Sequence, residues 1–142
     1  MKLVITMSRR FGTGASIIAE ELSKRLDIPV YDKAYIEEKL SDHKYESEAE
    51  AIRKLAENPC IILGRCASDI LKDRMNVLNI YVSAAKEDRI QRIMKKENLD
   101  HDAAKEKVEH TDEERAAYYY SELGVENCAD ILMHYFEKLE YI

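Results

Sequence analysis

The chain has 142 residues, of which 46% are hydrophobic and 35% charged, with a formal net charge of −6 and a pI near 5.3. This length suits one domain with a core of its own, and the balance excludes a disordered or low-complexity protein. The acidic charge argues against a broad nucleic-acid surface, and the apolar runs fall short of the ~18–20 residues of a membrane span.

Met1-Lys2 leads straight into an apolar run without a signal-peptide pattern, so a cytoplasmic protein is expected. Cys60, Cys66 and Cys128 are odd in number and form no C-x-x-C, so reduced thiols are expected, with Cys60 in the core. His43, His101, His110 and His134 show no paired metal-ligand spacing.

Leu3 to Met7 is short and continuously apolar, as in a strand buried on both faces. Ser8 to Ser16 follows with Gly12 and Gly14, and then an amphipathic segment begins. Strand, glycine-bearing turn and helix is the order that builds a phosphate cradle from backbone N–H groups and a helix N-terminus. The P-loop pattern G-x-x-x-x-G-K-[ST] is met in part: Arg9 stands for its first glycine and Ala15 for its lysine, while Ser16 fits the hydroxyl position.

Ile18, Leu22 and Leu26, widened by Ile17 and Ala19, predict the buried stripe of the first helix, which ends at Asp27-Ile28-Pro29. Pro29 to Tyr31 is a second strand closing on Asp32, which either caps the helix over 33–40 or serves a site. A polar loop over 41–47 precedes a helix over 48–57. Cys60 to Leu63 is a third strand ending at Gly64-Arg65, with a short helix over 67–72 after it.

Val77 to Val82 is the fourth strand, and Ser83 is placed to cap a helix whose apolar face is Ile90, Ile93 and Met94, with Arg89 and Arg92 on another face. Asp100 is an N-cap for a helix over 103–110. Thr111-Asp112-Glu113-Glu114 reads as a capping box, predicting a fresh helix from Asp112 to about Gly124. A last helix over 126–140 buries Ile131, Leu132, Tyr135 and Leu139.

Alternating strands and helices predict a three-layer α/β fold, with a short, four-stranded parallel sheet flanked by helices. Ligands bind such sheets beyond the carboxyl ends of the strands, where Ser8 to Ser16, Asp32, Gly64-Arg65 and Ser83 fall. Phosphoryl transfer needs a phosphate cradle, charge-spreading cations and a pocket for the acceptor. The loop supplies the first, Ser16 is a candidate Mg²⁺ ligand, and Asp32 is a candidate for holding the metal or orienting an acceptor hydroxyl. The planar forks of Arg65, Arg89, Arg92 and Arg115 suit phosphate oxygens.

These blocks together resemble the cytidylate-kinase-like branch of the P-loop nucleoside monophosphate kinases. Ile5 to Gly14 is similar to its I-S-R-E-[YF]-G-S-G loop, Ile28 to Lys33 to its I-P-F-Y-D-K, and Asn58 to Ala67 to its third strand and G-R-C-A turn. Glu87 to Met94 is similar to its helix before the lid, and Thr111 to Tyr119 to its T-D-x-x-R-A-x-Y-Y after it.

The resemblance implies a P-loop NTPase-type fold and ATP-dependent phosphorylation of a nucleoside monophosphate, CMP or dCMP first, by one domain over 1–142 with a lid-like helical region over about 86–122. It implies ATP and Mg²⁺ as cofactors. Gly12, Thr13, Gly14, Ala15 and Ser16 would hold the ATP phosphates, Asp32 and Arg65 the acceptor, and Arg89, Arg92, Asp112 and Arg115 the lid. Arg9 would stand in for the missing lysine or form a structural ion pair. The chain departs from the family pattern at that lysine, at Leu63 where an aspartate is usual, in the short segment over 40–49 and in lacking a fifth strand. The alternative reading is a nucleotide- or phosphate-binding protein of the same fold that has lost catalysis. Without a fifth strand, strand 4 becomes an apolar edge, and a homodimer or a covering C-terminal helix is expected there.

Overall fold

The computed structural model describes residues 2–123. They divide into two compact units, one made of residues up to Arg9 with Gly14–Val82, the other of Arg10–Thr13 with the described residues from Ser83 onward.

The first unit is built on four parallel strands, β1 (Val4–Arg9), β2 (Val30–Tyr31), β3 (Cys60–Leu63) and β4 (Val77–Val82), in the order β2-β3-β1-β4. Its helices are α1 (Ala15–Leu26), α2 (Lys33–Ser41), α3 (Glu48–Leu55) and α4 (Ala67–Ile70). Strand alternation sends Val4, Cys60 and Ile62 into one apolar cluster with Ile36, Ala51, Ile52, Ala67 and Leu71 from the α2–α4 side. Ile5, Met7, Ile61 and Leu63 point the other way, into a cluster with Ala15 and Ala19 of α1. Helices on both faces explain why β3 reads as an unbroken apolar run and why β1 is apolar on both sides of Thr6. Thr6, buried among them, is satisfied because its hydroxyl donates to Asn79 Oδ1 at 2.6 Å.

The predicted α1 stripe is corrected. Ala15 and Ala19 are buried and Leu22 packs beside them, whereas Ile17, Ile18 and Leu26 are 63, 43 and 48% exposed. Two apolar registers coexist on this helix, and the alanine register lets its backbone approach the sheet closely. Among the described residues β4 pairs only with β1, and Leu78 on it is 49% exposed.

The second unit pairs α5 (Lys86–Glu97) with α6 (His101–Leu123). Ile90 and Ile93 bury against Ala104 and Val108, with Met94, Leu99 and Phe11 around them. Asp100 caps α6 as expected, accepting from the Ala103 N–H at 2.8 Å. Ser83 does not cap α5, which starts after Ala85 without a side-chain cap. Arg89 and Arg92, expected together on one face, differ: Arg89 is buried and Arg92 is exposed.

The expected restart at Thr111 does not occur: α6 runs unbroken through it. Nothing around Thr111 interrupts helical hydrogen bonding, and the Asp112 carboxylate bonds outside its own helix. The predicted stop near Gly124 and the helix over 126–140, with Cys128 and His134, lie outside the described residues. No described helix is long and apolar enough to cross a membrane.

Candidate functional site

β1 delivers the chain into the loop, and two glycines shape it. Gly12 has φ +84 and Gly14 φ +77, both in the left-handed region that L side chains resist. Gly14 is also the N-cap of α1, and no side chain caps this helix end. Its first-turn N–H groups therefore carry the partial positive charge of the helix with no carboxylate in the first turn to offset it. Thr13 Oγ1 donates to the Arg10 carbonyl at 3.0 Å and closes the loop on itself. Ala15, in the position of the missing lysine, is buried against the sheet, and Ser16 is exposed.

Asp32 is the N-cap of α2, its carboxylate accepting from the Tyr35 N–H at 2.9 Å. The Tyr31 and Tyr35 rings lie beside it with centroids 4.6 Å apart, and burial pushes the Tyr31 phenol above its ordinary range. At the end of β3, Gly64, Arg65 and Cys66 take φ of +67, +58 and +57 in succession. Two non-glycine residues in this region store strain, which collects at functional sites. The Arg9 guanidinium lies against Gly64, where any added Cβ would overlap its Nη1. Arg65 Nη2 donates to both oxygens of Glu48, at 2.8 and 3.1 Å, and both side chains are largely buried.

The second unit gathers other residues. Arg89, 2% exposed, donates from Nε to the Ala84 carbonyl at 3.1 Å and from Nη1 to the Phe11 carbonyl at 3.1 Å. The same Nη1 meets Asp112 Oδ2 at 2.6 Å, and Asp112 Oδ1 accepts from the Phe11 N–H at 2.9 Å. The Arg115 guanidinium lies 5.6 Å and the Lys107 ammonium 5.8 Å from the Phe11 ring centroid. Arg92 is exposed on α5.

Thus Arg9 meets the Gly64-Arg65 turn in the first unit. Arg89, Asp112 and Arg115 meet the loop residues Phe11 and Gly12 in the second. Sequence reasoning missed two partners. Glu48 carries no local signal, since nothing tells that a first-turn acid reaches a distant arginine. Phe11 does carry one, because an aromatic in a polar glycine loop signals that the loop docks on something apolar.

The sequence pattern of the cytidylate kinase-like family matches residues 4–45 and 35–127. The chain belongs to that family. An uncharacterized protein from Eubacterium ventriosum has a similar structure, at 26% identity and a TM-score of 0.75, covering 83% of this chain and 78% of that one. The shikimate kinase from Bacteroides thetaiotaomicron shares the fold at 13% identity and a TM-score of 0.56, with both chains covered over 100% of their length. No curated protein matches the chain. The family therefore brings a P-loop kinase fold.

Proposed function

We propose that the protein phosphorylates a nucleoside monophosphate, CMP or dCMP first, with ATP as donor. The observation that carries this reading is the loop: two left-handed glycines leading into a helix end that no side chain caps. Such a loop fits an anion, because its backbone N–H groups and the helix dipole favour negative charge. Gly12 to Ser16 would hold the ATP phosphates, and the exposed Ser16 hydroxyl would ligate Mg²⁺. Among the described residues no three His, Cys, Asp or Glu side chains cluster to hold a metal by themselves. Mg²⁺, which keeps few protein ligands and takes phosphate oxygens, suits Ser16 and the nucleotide together; it would neutralise charge on the transferred group.

The family pattern supports Arg65 for the acceptor phosphate and Arg92 and Arg115 for charge on the transferred group. Arg9 supplies a cation beside the Gly64-Arg65 turn. A second reading, nucleotide binding without transfer, is favoured by the bonds that Asp32, Arg89 and Asp112 already make within the fold. ADP release measured with CMP, dCMP, UMP and AMP tests the first reading. Calorimetry with ATP, with and without Mg²⁺, tests both. Turnover with CMP supports the kinase; ATP binding without turnover on any acceptor establishes the second reading.

A further inference from the structure

Phe11 is held at both ends of its own backbone. Its N–H donates to one Asp112 oxygen at 2.9 Å, and its carbonyl accepts from Arg89 Nη1 at 3.1 Å. The other Asp112 oxygen meets that same nitrogen at 2.6 Å, so carboxylate, guanidinium and one residue of the loop form a closed ring. A third bond, from Nε to the Ala84 carbonyl at 3.1 Å, orients the guanidinium plane. Burial strengthens each of these bonds, because water competes little for them. The Phe11 ring meanwhile joins the apolar cluster of Ile90, Ile93, Ala104 and Val108. Gly12 then passes so close to α5 that a Cβ on it would lie 2.9 Å from the Arg89 carbonyl oxygen.

We infer that Arg89 and Asp112 are positioning residues for the phosphate loop, gripping Phe11 so that Gly12 keeps its left-handed conformation. This rests on the proposed function, in which the loop from Gly12 receives nucleotide phosphates. It gives the two residues a different task from touching the acceptor. To clamp a phosphoryl group, Arg89 would have to abandon the Phe11 carbonyl and Asp112, and Asp112 would have to release the Phe11 N–H. The grip acts on Phe11 and Gly12, the part of the loop that packs on α5 and α6.

The test uses the full chain and two readouts. Hydrogen exchange at the Phe11 and Gly12 amides, without nucleotide, reports the grip alone; calorimetry with MgATP and separately with CMP reports its consequence. Replacing both charges, Arg89→Met with Asp112→Leu, leaves no buried ion unpaired and keeps the site apolar. Arg89→Lys retains charge but loses the fork. Glu109→Gln, which breaks only the exposed ion pair with Lys86, is the control.

The double variant should exchange its Phe11 amide about a hundredfold faster, with the amides of α5 retaining their protection. It should bind ATP at least about tenfold more weakly and leave CMP affinity unchanged. Arg89→Lys should shift both readouts the same way by less. A folded double variant with wild-type exchange at Phe11 and ATP affinity within about twofold overturns the inference. So does a loss of CMP affinity with ATP affinity kept, which would make the pair an acceptor contact. If the double variant does not fold, Arg89→Lys decides by the same two readouts. A wild-type protein that binds no ATP refutes the proposed function, and exchange at Phe11 then decides the grip by itself.

Discussion

Gly12→Ala is the sharpest single perturbation of the loop. The added Cβ would stand 2.9 Å from the Arg89 carbonyl oxygen, 3.1 Å from its Cβ and 3.3 Å from its Cα. Two of these atoms are backbone of a helix interior and cannot swing aside as a long side chain would. The substitution also places an L side chain at φ +84, which costs roughly 1–2 kcal/mol. Forcing the extra methyl against α5 adds about 1–3 kcal/mol. Together the loss is about 3 kcal/mol, or roughly 10 °C in Tm for a chain of this size. Relief by moving the loop would break the Phe11 bonds to Asp112 and Arg89, so the strain cannot be shed cheaply. Urea denaturation with calorimetric titration of ATP measures both consequences, and ATP affinity should fall with stability. A variant with Tm within about 2 °C of wild type and unaltered ATP affinity would refute the reasoning.

Asp32→Asn should keep the α2 cap, since an amide oxygen also accepts from Tyr35 N–H, and hold stability within about 0.5 kcal/mol; a large fall in turnover at unchanged stability would then assign the carboxylate a chemical task. Burial pushes the Cys60 thiol up from its ordinary 9.0 to about 11. Because the unfolded thiol ionises first, folding stability should fall as pH rises from 9.0 to about 11, and less so in Cys60→Ala. Native Cys60 should also resist alkylation at pH 8 until the protein is unfolded. Of the two covers expected at the β4 edge, a homodimer predicts a two-chain mass by sedimentation that Leu78→Lys reduces to one; a single-chain mass for wild type at high concentration counts against it and leaves the covering C-terminal helix.

Much of the first unit was legible in the order of residues. β3 and β4 were bounded at the observed residues, because a continuous apolar run between Pro59 and Gly64, and a largely apolar one interrupted by Asn79 between Asn76 and Ser83, leave little choice. The glycine loop was equally readable, since Gly12 and Gly14 mark positions where a left-handed backbone favours glycine. Helix faces were harder. Of the stripe expected on α1, Ala19 and Leu22 pack against the sheet together with Ala15, whereas Ile17, Ile18 and Leu26 stay exposed.

Two segments with one local signature show where the limit lies. Ser47-Glu48-Ala49-Glu50 and Thr111-Asp112-Glu113-Glu114 both spell a capping box. At the first, Ser47 Oγ accepts from the Glu50 N–H at 3.1 Å and α3 begins. At the second, α6 continues undisturbed. By itself the sequence determined the four strands, their alternation with helices and the glycine-bearing turn, because periodicity, proline and glycine act over a few neighbouring residues. Only the tertiary structure decided what Asp112 does. Its two carboxylate partners lie 101 and 23 residues away in the chain, at Phe11 and Arg89. A bond between groups so distant is set by packing, and no local pattern encodes it.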